Sequence, residues 1–427
     1  MKKVHYRKLI NMTENLYFVE SIYTPTDSTS SVVTLLSAMG NQQTVIVRSL
    51  EQGLLRMYNH RGTIREGWYV YFDEGKQLLF GYGNLSLYAR SQFKEYYELR
   101  NQLAERLISA ESEEAIVPSC FHVPNTKVTS YHVKVGHGNC SLVLIESGSC
   151  FQIWMVDCSI KDKTDCWRNY EGNLKACFKE MVKKLGMDEN EKLHIDRFFL
   201  THAHHDHYNG IEYLINSGHI DARTLCYVNI YYQMASKAYN KMLRVLYDAK
   251  VKIVEPIIDN SNVVISFIHP EKRIYRSKAT VKHTSDDYRI VDRPVNDSSV
   301  VLSIKVGGKI MVFPGDLELN GFNIMSCSGK CGPNLFYADY FVVSHHGSLN
   351  GHPTMQCHVL PSRKRNPISC IKNNLKKVIL MGRDSAYSGI YSQQVLIDWN
   401  QTGKLVITEN APHFMELDWD NDKVIMH

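Results

Sequence analysis

The run Thr201-His202-Ala203-His204-His205-Asp206-His207 reads His-x-His-x-Asp-His. The three imidazoles and one carboxylate at the motif positions can hold transition metals at two adjacent points, and few other arrangements use that density. The run follows Arg197-Phe198-Phe199-Leu200, a short apolar stretch. That context reads as a buried strand delivering ligands from its C-terminal end, where open α/β sheets place their chemistry. Imidazole nitrogen and carboxylate oxygen suit zinc, manganese or iron.

Working outward, other strand-like runs also end in metal-competent residues. Phe151 to Val156 is capped by Asp157, and Lys309 to Phe313 runs into Pro314-Gly315-Asp316. Asp339 to Val343 runs into Ser344-His345-His346-Gly347-Ser348. A shared site at one edge of a β-rich core, fed by strands from both halves, explains these endings together. Further strands are expected at Tyr131 to Val135, Ser141 to Ile145, Ser299 to Lys305, Val378 to Met381 and Lys404 to Thr408. Helices are expected at Asn209 to Ile215, Met234 to Ala249 and Ser392 to Trp399. Gly307-Gly308 reads as a tight hairpin turn.

Residues 1–125 have a different character. Thr44-Val45-Ile46-Val47 and Trp68-Tyr69-Val70-Tyr71-Phe72 are β-like, rich in aromatic and β-branched residues. Tyr88 to Ala110 carries apolar residues at helical spacing, among them Phe93, Tyr96, Tyr97, Leu103 and Leu107. The acidic stretch Glu111-Ser112-Glu113-Glu114 before Pro118 reads as a linker. The expectation is therefore a β-rich accessory domain over 1–125, ending in a helix, and a catalytic domain over 126–427. No catalytic constellation falls in the first part, whose default reading is a dimerisation or substrate-presenting module.

The chain of 427 residues is 44% hydrophobic and 22% charged, an ordinary globular composition that excludes disordered and fibrous classes. Its formal charge of +5 is compatible with an acidic substrate. Neither a secretory signal nor an apolar run near the roughly 18 residues needed to span a bilayer is evident. Eleven cysteines without a repeated spacing read as reduced thiols, and a cytoplasmic location without membrane attachment follows as the expectation.

Taken together, these motifs resemble the metallo-β-lactamase superfamily, and within it the soluble hydrolase domain of ComEC-type DNA-uptake proteins and their stand-alone relatives. The matching elements are Val135-Gly136-His137-Gly138-Asn139-Cys140, Met155-Val156-Asp157, Leu200 to Gly210, Asn296-Asp297-Ser298-Ser299-Val300, Pro314-Gly315-Asp316 and Ser344-His345-His346-Gly347-Ser348. They cover about residues 128–415 in the family's order. The resemblance implies an α/β fold, an αββα sandwich with the metal site at the sheet edges. It implies that His202 and His204 hold one metal, that Asp206 and His207 hold the second, and that Asp316 bridges them. His346 completes a shell, and His345 contacts substrate or passes a proton. Asp157 orients a ligand histidine. The implied cofactors are two divalent ions, zinc or manganese.

The chain departs from the family pattern in three places. The histidine usual between the main cluster and the bridging Asp has only His219, His269 and His283 as candidates. The late histidine that follows a Tyr-Gly pair is absent from Ala386-Tyr387-Ser388-Gly389-Ile390, leaving Asp384 nearby to take its place. His137 and Asn139 stand where the family has Gln and Asp, which bears on substrate contacts.

Two ions so held would lower the pKa of a shared water and make hydroxide the nucleophile, with Asp206 orienting it. Lys272, Arg273, Arg276, Lys278, Lys282, Arg289 and Arg293, interleaved with Tyr275 and Tyr288, suit a phosphodiester, including single-stranded nucleic acid. A second basic run comprises Arg363-Lys364-Arg365, Lys372, Lys376 and Lys377. The expected function is a metal-dependent phosphodiesterase or nuclease. The alternatives are a hydrolase of lactams, lactones or thioesters, an inactive scaffold used for binding, and a separate structural zinc site at Cys327, Cys331, Cys357, His358 and Cys370.

Overall fold

The computed structural model describes residues 126–228, 237–254, 263–269, 299–318, 338–352, 374–384 and 390–427. It also describes the short pieces 98–99, 102–103, 296 and 321–322, and five strands nearer the N-terminus. The expected linker at 111–118, most of the helix at 88–110 and the basic stretch at 271–293 lie outside the described residues. So do Asp297, Ser298, Arg363-Lys364-Arg365, Lys372, His283 and the proposed zinc cluster from Cys327 to Cys370.

By its internal contacts the chain divides into two compact units. One comprises Met1–Gln102, Tyr231–Lys241 and Arg276–Val295; the other comprises Leu103–Ile230, Met242–Tyr275 and Asn296–His427. The first contains a five-stranded antiparallel sheet built from β1 (Leu16–Tyr23), β2 (Ser30–Ser37), β3 (Gln42–Arg48), β4 (Tyr69–Asp73) and β5 (Leu78–Gly81), in the order β3-β2-β1-β4-β5.

The second unit holds two large sheets. In the first, β6 (Lys127–Val133), β7 (Cys140–Ser147) and β8 (Cys150–Cys158) form an antiparallel meander, followed in the chain by a separate two-stranded ribbon of β9 (Lys161–Asp162) and β10 (Arg168–Asn169). β11 (Arg197–Phe199), β12 (Leu225–Tyr227) and β13 (Lys252–Ile253) extend it in parallel beyond β8, while a C-terminal hairpin, β20 (Phe414–Asp418) and β21 (Lys423–Met426), pairs with β6. The second sheet has the order β14-β15-β16-β17-β18-β19, from Val263–His269, Val301–Val306, Lys309–Phe313, Tyr340–Val342, Lys377–Leu380 and Leu405–Ile407. Its first three strands are antiparallel and its last four parallel. Gly307 and Gly308 connect β15 to β16 with φ of 56° and 81°, the positive pair that a two-residue hairpin of this twist requires.

Alternation along the strands shows how the layers stack, because successive side chains of a strand point to opposite faces. On the second sheet Leu302, Ile304, Met311, Phe313, Tyr340, Val342 and Ile379 join one buried cluster, and the intervening Val301, Ile310, Val312, Phe341, Val343 and Val378 join another. The first cluster also contains Val128, Val143, Trp154, Val156, Phe199, Met415 and Leu417 from the first sheet, so the two sheets share it. The other cluster is closed by Val395 and Trp399 of the helix Gln393–Asn400. On the far face of the first sheet, the helix Glu171–Lys184 packs on β6 and β20 through Leu174, Cys177, Phe178 and Met181. Each large apolar side chain removed wholly from water in this way contributes about 1.5–3 kcal/mol. The result is α/β in class, with helix, sheet, sheet and helix in four layers, as the motifs implied. Among the described residues, no helix is long and apolar enough to cross a membrane.

Candidate metal centre

Five strand ends converge on one edge of this sandwich: those of β8, β11, β16, β17 and β18. Asp157, just inside the end of β8, has a left-handed backbone (φ 56°). Its carboxylate accepts from the Thr201 backbone N–H and hydroxyl, each at 2.8 Å, and lies 2.8 Å from His207 Nδ1. One side chain thereby fixes both the turn that starts the histidine run and the orientation of the run's last imidazole. A short helix, His205–Tyr208, turns Asp206 and His207 inward.

From the second sheet, β16 ends in Pro314-Gly315-Asp316. Gly315 has φ of 59°, and a Cβ placed on it would stand 2.7 Å from the Thr201 Cβ, so close approach of the two loops demands glycine here. The Val300 N–H donates to the Thr201 carbonyl at 2.8 Å and ties the same loops from the other side. After β17 the chain enters a turn in which His345 and His346 both have left-handed backbones, φ 49° and 52°. Ser344 holds that turn in place by donating to the Leu317 carbonyl at 2.6 Å and to Gly315 O at 3.1 Å. Strained conformations of this kind persist where surrounding contacts over-determine them, and they cluster at functional sites.

Two groups of atoms that could hold a metal ion result, each gathered within 4.8 Å: Asp206, His207, Asp316 and His346, and His202, His204 and Asp316. Asp316 belongs to both. Its carboxylate lies 3.3 Å from His207 Nε2, 3.5 Å from His346 Nε2 and 3.7 Å from His202 Nε2. Asp206 Oδ2 is 3.3 Å from His346 Nε2, and Asp206 is the most open member, its side chain 25% exposed. His346 is fixed from behind by its Nδ1, 3.2 Å from the Met381 carbonyl at the end of β18.

The electrostatics are those of a site built around positive charge. Burial disfavours ionisation of Asp206 and Asp316, yet the surrounding imidazoles, His346 and His207 foremost, hold both carboxyls well below the usual range. Burial likewise opposes charge on His207, but Asp316 and Asp157 raise it well above the ordinary imidazole value. His346 is raised to about 9 against its burial by Asp316 and Asp206. His202 goes the other way, pushed down by burial and by His207. Protons on buried imidazoles are what a bound dication displaces. His207 Nε2, His346 Nε2 and Asp316 Oδ1 are buried without a directed hydrogen bond, which fits a ligand set better than a packed core. The nitrogen and carboxylate donors, and their number, therefore suit divalent zinc, manganese or iron.

His345 stands beside the ligand groups, with Nε2 3.8 Å from Asp316 and Nδ1 3.6 Å from Glu318 Oε1, itself held by Asn296 Nδ2 at 2.9 Å. Burial pushes His345 down to about 4, so it is neutral near pH 7. His205 is in neither group; its ring meets Trp167 and Tyr208 edge-on. His219 packs against the Phe178 ring, centroids 4.2 Å apart, with Nδ1 2.7 Å from the Leu193 carbonyl, which accounts for it as a core residue. The His269 side chain is outside the described set, as is the Ala386–Gly389 segment. Of the second basic run, Lys376 is ion-paired to Asp422 at 3.1 Å.

Two participants were not assigned to the site from sequence. His137, in the turn between β6 and β7, brings Nε2 to 3.3 Å from Asp206 Oδ2 and its ring to 4.3 Å from that of His346. The signal was a histidine between two glycines at a strand end, read there only as bearing on substrate. Asp162 is fully buried beneath it, accepting from the His137 N–H at 3.0 Å and from Arg383 Nε at 3.2 Å. No local pattern announces that aspartate, because Arg383 is 221 residues away.

No family model matches the sequence, and no curated protein matches it. Among solved structures, the chain is similar to CmlA, a diiron β-hydroxylase from Streptomyces venezuelae, at 14% identity and a TM-score of 0.35, over 68% of this chain and 54% of that one. A variant of the CmlA β-hydroxylase aligns at 13% identity and a TM-score of 0.36, over 69% and 54%. The metallo-β-lactamase fold protein YhfI from Bacillus subtilis aligns at 12% identity and a TM-score of 0.32, over 66% of this chain and 96% of that one. The chain spans about half the length of the β-hydroxylase it matches.

Proposed function

We propose that this chain is a metal-dependent hydrolase of phosphodiesters, acting on nucleic acid or nucleotides, of the ComEC-type branch that its motifs resemble. The observation that carries the reading is the pair of ligand groups sharing Asp316, one with His202 and His204 and one with Asp206, His207 and His346. Divalent ions bound there supply Lewis acidity toward phosphoryl oxygens and lower the pKa of water in the site toward neutrality.

The chain's own groups divide the remaining work. Asp206, the open carboxylate, orients the attacking water by accepting its hydrogen bond. Asp157 keeps the His207 imidazole turned correctly through Nδ1. His345, neutral near pH 7, hydrogen-bonds through its N–H to a nonbridging phosphate oxygen or to the departing alkoxide. Water adds at phosphorus, the ester P–O bond breaks, and the alcohol leaves with the proton that the attacking water gives up, leaving a monoester. Lys161, Lys163 and Arg168 lie on the segment that flanks His205 and support a polyanionic substrate over a small neutral one.

The test is turnover of bis-p-nitrophenyl phosphate and of labelled single-stranded DNA with zinc or manganese, beside a His202→Ala/His204→Ala/Asp206→Ala variant. Activity lost in the variant supports the reading. Hydrolysis of lactones or thioesters by a protein that leaves both diesters intact would replace it with the small-molecule alternative.

A further inference from the structure

The segment from Ser159 to Asn169 forms a rim whose cations enter the catalytic reading but whose tip, Cys166 and Trp167, does not. Lys161–Asp162 pairs antiparallel with Arg168–Asn169 around a turn at Lys163–Asp165. The rim is anchored with unusual care for an exposed loop. Asp162 accepts from the His137 and Thr164 backbone N–H groups at 3.0 and 2.8 Å, from the Thr164 hydroxyl at 2.6 Å and from Arg383 at 3.2 Å. Asn209, which follows the helix bearing Asp206 and His207, accepts from the Ile160 and Lys161 N–H groups at 2.8 and 3.0 Å and donates to Lys161 O at 3.1 Å. The rim is therefore fixed to the same pieces of chain that carry His137 and the histidine run.

At its tip Cys166 and Trp167 have left-handed backbones, φ 49° and 61°, and Trp167 is 48% exposed. Trp154, Trp399 and Trp419, by contrast, are wholly buried. The Trp167 ring stands nearly perpendicular to that of His205, at 84° and 5.5 Å between centroids, and His205 lies between His204 and Asp206 in the chain. Whichever ring presents its edge, His205 leaves at least one face of the indole uncovered. Lys161 and Arg168 are exposed on the same rim, and Lys163 is partly so. Leaving an indole half in water and holding it in a sparsely populated backbone costs stability, which an anchored loop sustains where the ring has a use.

We propose that Trp167 is the stacking platform for a nucleobase of the substrate, with the rim's cations, Lys161, Lys163 and Arg168, attending the adjoining phosphate. This rests on the phosphodiester reading above and narrows it to substrates that carry a base beside the scissile bond. An indole face takes any base, since every base has a π-face, so the platform confers preference for nucleotides without sequence specificity.

The experiment uses the full chain and two probes of equal charge, a thymidine tetranucleotide and its abasic counterpart. Each carries a 5′ fluorescein whose anisotropy gives its affinity for the wild-type, Trp167→Leu and Trp167→Phe proteins, while quenching of intrinsic tryptophan fluorescence is followed in the wild type and circular dichroism melting establishes folding. The platform predicts quenching by the base-bearing probe alone, and about tenfold weaker binding of that probe in Trp167→Leu with the abasic affinity unchanged. Trp167→Phe retains most of the affinity. Equal binding of both probes by wild type and Trp167→Leu overturns the platform, even if both proteins hydrolyse the tetranucleotide. Base-dependent quenching without turnover of any diester upholds the platform and sinks the hydrolase reading instead. Binding of neither probe overturns the platform as well.

Discussion

His137 Nε2 lies 3.3 Å from Asp206 Oδ2, and the His137 ring packs 4.3 Å from that of His346. A turn outside the histidine run thus reaches one ligand group and touches two of its members. Burial and the neighbouring His346 push His137 down to about 3, so it is neutral near pH 7 and can orient the carboxylate without competing as a cation. His137→Gln should weaken binding of the ion held by Asp206, His207, Asp316 and His346 by about 10- to 100-fold, the usual effect of losing a group that orients a ligand. Competition against a chromophoric chelator measures it; an unchanged affinity would assign His137 to packing alone.

Asp157 touches the candidate metal centre through His207 and Thr201. Asp157→Asn keeps the volume but can accept through only one atom, so the His207 tautomer and the Thr201 turn can no longer both be satisfied. The expected result is a loss of about 10- to 100-fold in metal affinity or turnover with the fold intact. Wild-type behaviour would show that His207 is oriented by packing.

Gly315→Ala places a Cβ 2.7 Å from the Thr201 Cβ at φ 59°. Strain at such a position costs about 1–3 kcal/mol, and relieving it moves Asp316 away from both ligand groups. Calorimetric melting should show the lower stability, and metal titration weakened binding at both positions. A variant that melts and binds like wild type would contradict the close approach of these loops.

His132 supplies a pH test away from the metal centre. It is wholly buried between the Ser130 and Ser141 hydroxyls, at 3.2 and 3.0 Å, and burial pushes it down to about 3. The unfolded chain takes up a proton below about pH 6.5 and the folded chain does not, so this residue's stabilisation is complete above that value. It is lost progressively on acidification toward pH 3, at about 1.4 kcal/mol per unit. His132→Gln should melt less differently at pH 7 and pH 4.5 than wild type does; an identical acid shift would remove His132 as a cause.

Strand ends were the legible part of this chain. Short apolar runs that stop at a chemically distinctive residue placed Asp157, Asp316 and the His345–His346 pair near one edge, because an apolar run and its termination are both local properties. The β16 strand at Lys309–Phe313 has the bounds expected of it, and the helix at Lys237–Asp248 falls within the expected 234–249. The helix Glu171–Lys184 is absent from the expectations although Leu174, Cys177, Phe178 and Met181 recur at helical spacing; Tyr170 at its N-cap makes no side-chain cap hydrogen bond, so no capping residue announces its start. The hairpin of β20 and β21 was missed as well; it gains meaning only by pairing with β6, nearly 300 residues earlier. The same holds for Asp162, whose partners His137 and Arg383 come from distant loops, and for the contact between Trp167 and His205. Sequence spacing cannot express what only the closed sandwich brings together.

The most direct test of the account is metal stoichiometry by plasma mass spectrometry on the wild-type protein, His202→Ala/His204→Ala and Asp316→Asn, with diester turnover on the same samples. The two ligand groups sharing Asp316 predict two divalent ions in wild type, one in the histidine double variant, and near-complete loss with inactivity in Asp316→Asn. A wild-type protein that binds no zinc, manganese or iron and turns over no diester would contradict the account.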